Sequence, residues 1–168
     1  MSPAIVQGIG LLATAATLAS FAQHSDVRFR LFAMIGSLLW ATHFALLDAH
    51  TAAVTALAIA ARQGSSQWLL GRPAAWRTTA GLAFAAVFTA IAWWTWQAWY
   101  SILPWIAAVN GTYAYLGLTG ANLRTQMLLS DAAGLVNGFA VGSIGGVLAA
   151  AAALLINARA IRGLLRQQ

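Results

Sequence analysis

Long apolar runs parted by short polar turns alternate along the whole chain. A membrane-crossing helix needs about 20 predominantly apolar residues, and on that rule the first two segments fall at 4–22 and 31–47. A third starts near Ala52 and is interrupted by Arg62 and Gln63 before Trp68-Leu69-Leu70. The remaining four fall at about 78–97, 103–119, 125–141 and 144–161. None shows the apolar/polar alternation of a barrel strand. The pattern therefore predicts seven helices with short turns and no room for a soluble domain.

Composition agrees with the pattern. Of 168 residues, 61% are hydrophobic and 7% charged, against ~45–50% and ~25% in ordinary soluble domains. A soluble globular enzyme and an extended disordered chain are both excluded, which leaves an all-α integral membrane protein. The absence of Cys removes disulfides and thiolate metal sites.

Eight of the nine Arg fall in alternate connections or the tail: Arg28 and Arg30 after the first segment, Arg72 and Arg77 after the third, Arg124 after the fifth, and Arg159, Arg162 and Arg166 in the tail, with Arg62 just before Arg72 inside the third segment. Positive residues collect on the cytoplasmic side in bacterial-type membranes, so the expected orientation is N-terminus outside and C-terminus inside. The +6 net charge thus forms no nucleic-acid patch, and the tail suits anionic lipid headgroups. Ser20-Phe21-Ala22 resembles a signal-peptidase site, but no basic segment precedes the first run, so that run is expected to stay as a helix.

Tryptophans mark both interfaces. Trp93, Trp94, Trp96, Trp99 and Trp105 gather at the outer ends of segments four and five, and Trp68 and Trp76 lie beside the inner Arg. Trp40 alone falls near mid-membrane. Segments 1–3 and 5–7 also repeat a layout: Pro3 and Gly10 answer Pro104 and Gly111, and at an offset of 94 Arg30 answers Arg124 and His43 answers Asn137. Three-helix units joined by one extra helix share an orientation, as parallel transporter repeats do, with the binding site between them.

The run from Gln23 to Arg28, then 38–47 around Trp40 and His43, then Thr51-Ala-Ala and the 141–147 turn, resemble bacterial inner-membrane proteins of the YgjV type. These are distant relatives of the SWEET, semiSWEET and PQ-loop transporters. The resemblance covers nearly the whole chain. It implies a SWEET-like 3+1+3 fold: a first triple-helix bundle over 1–70, a linker helix within 71–101, and a second bundle over 102–168. It further implies transport of a small, often sugar-like, solute. Trp40 falls where those relatives place a pocket Trp, and His43 where they place a Tyr. Gln23 matches the Gln of their Pro-Gln pair, although Ala22 replaces the Pro. Their pocket Asn positions fall near Ala56 and Ala150, which are apolar here.

Four residues are candidates for solute binding. Trp40 and His43, spaced i, i+3, share a helix face, where a ring platform beside an imidazole suits a planar or sugar-like solute. Asn110, with Tyr113, and Asn137 supply neutral polar groups at similar depth, or simply join helices. Asp131 and Arg62 are candidates for coupling or a polar gate, because an ionisable group in hydrocarbon normally faces the bundle interior or water. The alternative for that pair is a structural Asp131–Arg62 contact, or snorkelling of the Arg stem. Asn157 is expected at the inner interface. Gly134, Gly138 and Gly142 are expected to pack sixth-helix backbone against a neighbour.

No enzyme or metal motif occurs, and no cofactor is expected. The expected function is alternating-access carriage of a small polar solute. The alternative is a membrane binding or accessory protein that kept the frame and lost its pocket. The bilayer is the one definite partner, and a homo-oligomer stays open.

Overall fold

The computed structural model describes residues 2–21, 26–118 and 120–165. Ala22, Gln23, His24 and Arg166 lie outside the described residues. Among the described residues seven α-helices follow one another: α1 (Pro3–Phe21), α2 (Asp26–Leu46), α3 (His50–Leu70), α4 (Ala74–Trp94), α5 (Ile102–Gly117), α6 (Gly120–Ala140) and α7 (Ile144–Leu165). A short 3-10 turn, Trp99–Ser101, leads into α5. Three helices carry a span long and apolar enough to cross a membrane, at Pro3–Ser20, Ala74–Trp94 and Ile144–Gly163. Helices α3 and α6 are diluted by interior polar residues such as Arg62, Gln63, Asp131 and Asn137. Proline opens two of the helices: Pro3 is the first residue of α1 and Pro73 caps α4, where its missing N–H costs nothing.

Helices α1, α2 and α3 pack side by side in chain order, and so do α5, α6 and α7. The two groups meet where α1 lies on α7 and α3 on α5. Helix α4 rests outside against α3 and α5, and of its side chains only Phe88 and Ala92 are buried.

Burial is inverted relative to a water-soluble protein. The core is mostly alanine, with Ala13, Ala41, Ala56, Ala108, Ala114 and Ala150 among its members, while Leu12, Leu82, Phe139 and Leu155 point outward. An apolar exterior this extensive suits lipid rather than water. Small interior residues let helix backbones approach where lipid removes the usual hydrophobic drive for association.

The α2–α3 and α6–α7 hairpins are copies. Their helices begin at 26 and 120, end at 46 and 140, and resume at 50 and 144, each pair 94 apart. Both first helices end in a Schellman motif. Ala49 N–H donates to Phe44 O and Ser143 N–H to Gly138 O, while Asp48 N–H donates to Ala45 O and Gly142 N–H to Phe139 O. The left-handed residue is Asp48 (φ 56°) in one hairpin and Gly142 (φ 69°) in the other. Asp48→Gly is therefore expected to stabilise by up to about 1 kcal/mol and Gly142→Ala to destabilise by a similar amount. Thermal unfolding in detergent, with opposite signs for the two variants, checks this.

Each hairpin is also clamped by a glutamine from elsewhere. Gln7 of α1 accepts from Ile144 N–H (3.1 Å) and donates to Gly142 O (2.9 Å). Gln97, between α4 and α5, accepts from His50 N–H (2.8 Å) and donates to Asp48 O (2.7 Å). The same two backbone groups of each turn are satisfied by the same side-chain atoms.

The expected glycine stripe on α6 divides into three roles. A Cβ at Gly138 would lie 2.8 Å from Val147 N, so α6 and α7 touch there through backbone; one at Gly134 would make only ordinary contact with Ala150. Gly142 has nothing within 4 Å and serves the turn.

Candidate functional site

A cavity of about 200 Å³ lies among α2, α3, α5, α6 and α7. Ser37, Trp40 and Phe44 contribute from α2, Ala52, Thr55, Ala56 and Ile59 from α3, and Pro104 and Ala107 from α5. Gly134 and Asn137 of α6 and Gly146, Ala149 and Ala150 of α7 complete it. Four pairs in this wall, Trp40 with Gly134, Ala52 with Gly146, Thr55 with Ala149 and Ala56 with Ala150, stand 94 positions apart. The cavity thus takes the same positions from both copies of the hairpin. Phe44, Ala52, Pro104 and Gly146 all belong to the last or first turn of their helices, so the cavity runs toward the end of the bundle that carries the two hairpin turns.

Its wall is apolar except at a few atoms. Trp40 stacks on Phe44 with ring centroids 5.5 Å apart, and its indole N–H donates to Thr17 Oγ1 of α1 (3.0 Å). The ring is held in place and presents carbon rather than N–H. Ser37 Oγ donates to Gln63 Oε1 (2.9 Å). Two atoms stand apart: Thr55 Oγ1 and Asn137 Oδ1 are buried without a hydrogen-bond partner, on residues 2% and 5% exposed. A buried acceptor left unpaired costs about 1–3 kcal/mol. Such a cost persists where a ligand is able to recover it.

Of the expected binding residues, Trp40 and Asn137 meet in this cavity; His43 and Asn110 do not line it. His43 is fully buried and spent on structure. Its Nδ1 reaches Val6 O of α1 at 2.9 Å and its Nε2 reaches Ser143 Oγ at 2.7 Å. The carbonyl can only accept, so Nδ1 carries a proton; Ser143 accepts Gly146 N–H (2.9 Å) and its hydroxyl is free to donate to Nε2. Asn110 ties α5 to α6: its Nδ2 donates to Gln126 O (2.7 Å) and Ser130 Oγ (2.8 Å), and Gln126 Nε2 donates back to its Oδ1. Tyr113, expected beside it, faces outward.

Arg62 is buried, with 5% exposure, and joins α3 to α5. Its Nη1 donates to Thr112 Oγ1 (2.7 Å) and Ala108 O (3.4 Å), and its guanidinium lies 5.5 Å from the centre of the Tyr115 ring. It neither snorkels nor meets Asp131. Asp131 Oδ2 instead accepts from Asn157 Nδ2 (2.7 Å), whose Oδ1 accepts from Arg124 Nη1 (3.0 Å). Asn157, expected at the interface, is buried and relays between these two charges. The reason is helix order: Arg62 lies on α3 and Asp131 on α6, which do not pack against one another as neighbours.

Sequence reasoning passed over Thr55, Ser37, Gly146 and Ala149 as cavity residues. The signal was present, since three of the four wall pairs follow from extending the offset of 94 to positions flanking Ala56 and Trp40. Ser143, Thr14 and Thr17 carried no such signal. Among the described residues no group of three or more His, Asp or Glu side chains is placed to hold a metal ion.

A family model described as a bacterial inner membrane protein, Imp-YgjV, matches residues 4–168. No curated protein and no solved structure matches.

Proposed function

We propose that this chain, which belongs to the Imp-YgjV family of bacterial inner membrane proteins, carries a small solute across that membrane by alternating access. The observation that supports this most is the cavity built from matched positions of the two hairpins, whose lining residues Thr55 and Asn137 each carry an unpartnered oxygen. Parallel-repeat transporters place their solute site between repeats. On this reading 1–70 and 102–168 are two triple-helix bundles, 71–101 holds the linking helix α4, and the N-terminus is outside. The cavity then runs toward the outer face.

Toward the other face the interior is bonded shut. Ser37–Gln63 links α2 to α3, Arg62–Thr112 links α3 to α5, and the Asn110, Gln126 and Ser130 cluster links α5 to α6. Each such bond contributes only about 1 kcal/mol net. The Arg62–Thr112 contact joins the two bundles, so rocking them to open the inner side exchanges that bond. Arg62 and Asn110 thereby act in the seal, and Trp40 and Asn137 in the site. Asp131 braces α6 on α7.

The alanines at 56 and 150 favour a second reading, a binding or accessory protein without flux. Reconstituted vesicles separate the two. Ala150→Leu fills the cavity with apolar atoms and leaves the helix intact. Wild-type vesicles should take up at least one member of a panel of sugars, amino acids, alcohols and amines, and Ala150→Leu vesicles should fall to the level of protein-free ones. Equal leak from all three preparations for every solute would exclude carriage.

A further inference from the structure

We infer that the solute is a neutral molecule of about one ring, with an apolar body and one hydrogen-bonding group such as a hydroxyl. This inference rests on the carrier reading for the word solute, while the binding it claims stands by itself. Size comes first. The cavity measures about 200 Å³, and an apolar cavity of about 150 Å³ takes up benzene, so a single ring with one or two substituent atoms fills it.

Polarity comes next. The walls are alanine and glycine carbon with the Trp40–Phe44 stack on the α2 side. The indole N–H is already given to Thr17. The hydrogen-bonding capacity left on the lining side chains is mainly the Asn137 amide, whose Nδ2 donates and whose buried Oδ1 accepts, and Thr55 Oγ1, which accepts or donates. Their complement is a molecule bearing a single group, such as a hydroxyl, that both donates and accepts. The hydroxyls of a hexose outnumber these partners, and each one left unpaired inside costs affinity.

Charge comes last. None of the lining side chains is ionisable, and the ionisable neighbours are spent: His43 on Val6 and Ser143, Arg62 on Thr112, Asp131 on Asn157. A carboxylate or ammonium would enter without a counter-charge, which burial does not permit.

The experiment is equilibrium binding to the purified full chain in nanodiscs, read by saturation-transfer NMR and thermal shift, with phenol, cyclohexanol, benzene, glucose and benzoate as probes. Phenol and cyclohexanol should bind saturably. Asn137→Ala and Thr55→Val should each weaken phenol about fivefold, the equivalent of one neutral hydrogen bond. Ala56→Leu, which fills the cavity, should abolish saturable binding, leaving only partition into lipid. Saturable glucose or benzoate without phenol would overturn the class and leave carriage intact. Benzene binding as tightly as phenol, unaffected by Asn137→Ala, would overturn the hydrogen-bond requirement. No saturable binding of any probe, or binding unchanged in Ala56→Leu, would overturn the site. Flux is measured separately in vesicles, so a bound but untransported phenol sinks the carrier reading alone.

Discussion

Gly145→Ala is expected to pry α1 from α7 and to cost more stability than a methyl group added at any other described glycine. The added Cβ would lie 2.5 Å from both the carbonyl carbon and oxygen of Gly10, a distance that real Cβ atoms do not reach. No rotamer relieves a clash with backbone, so the helices must separate. Separation strains the bonds that depend on their closeness: Thr14 Oγ1 to Gly145 O (2.9 Å) and the Gln7 clamp on the α6–α7 turn. Overpacking a core by one or two carbons costs about 1–3 kcal/mol, and contact with rigid backbone puts this substitution at or beyond the upper end. Gly8→Ala is the control. It sits in the same helix α1 as Gly10 with nothing within 4 Å of its added Cβ, so helix propensity should make it neutral or stabilising by up to about 1 kcal/mol. Thermal denaturation of both variants in one detergent reads the contrast. Equal melting temperatures would mean that α1 and α7 do not cross at Gly10 and Gly145.

His43→Ala should be nearly as damaging to the fold and harmless to the site. The imidazole is sandwiched against Gly10, whose own Cβ would fall 2.6 Å from its Cε1. Its two nitrogens join α2 to α1 and to the turn before α7. Truncation removes both hydrogen bonds and leaves a void in a core that cannot collapse, because the neighbouring backbone is already in contact. Lost packing and lost hydrogen bonds together amount to about 3 kcal/mol. Yet His43 does not line the cavity. The folded fraction should bind phenol as the wild type does. His43→Gln, which retains one reach toward Val6 or Ser143, should recover part of the stability. A His43→Ala protein with full stability and no ligand binding would reverse the assignment and restore His43 to the site.

These two positions mark where sequence reading reached its limit. The spacing of His43 from Trp40 put both on one helical face, and the structure does bring their rings within 5.7 Å. What spacing could not say is which ring faces the cavity. A helical face spans several neighbours, and here α1 takes the His43 edge while the cavity takes Trp40. Asn137 and Asn110 present the same contrast. Both are buried amides, but Asn110 faces α6, where Gln126 and Ser130 satisfy it, and Asn137 keeps an acceptor unspent. From sequence, an Asp131–Arg62 contact is one alternative for two ionisable groups inside the bundle. The ring order of helices separates them.

The linear chain by itself determined the number of helices, their ends to within a few residues, a membrane setting and the 94-residue recurrence. All of these follow from quantities that are local along the backbone: transfer free energy summed over a window, Pro and Gly at helix ends, and Arg outside apolar runs. Tertiary structure alone decided that Gly10 and Gly145 are a backbone contact, that Gln7 and Gln97 clamp the two turns, and that Thr55 shares a cavity with Asn137. Those facts depend on how each helix is rotated about its axis and on which helices are neighbours. A rotation of a few tens of degrees exchanges one polar partner for another without changing hydropathy at any position.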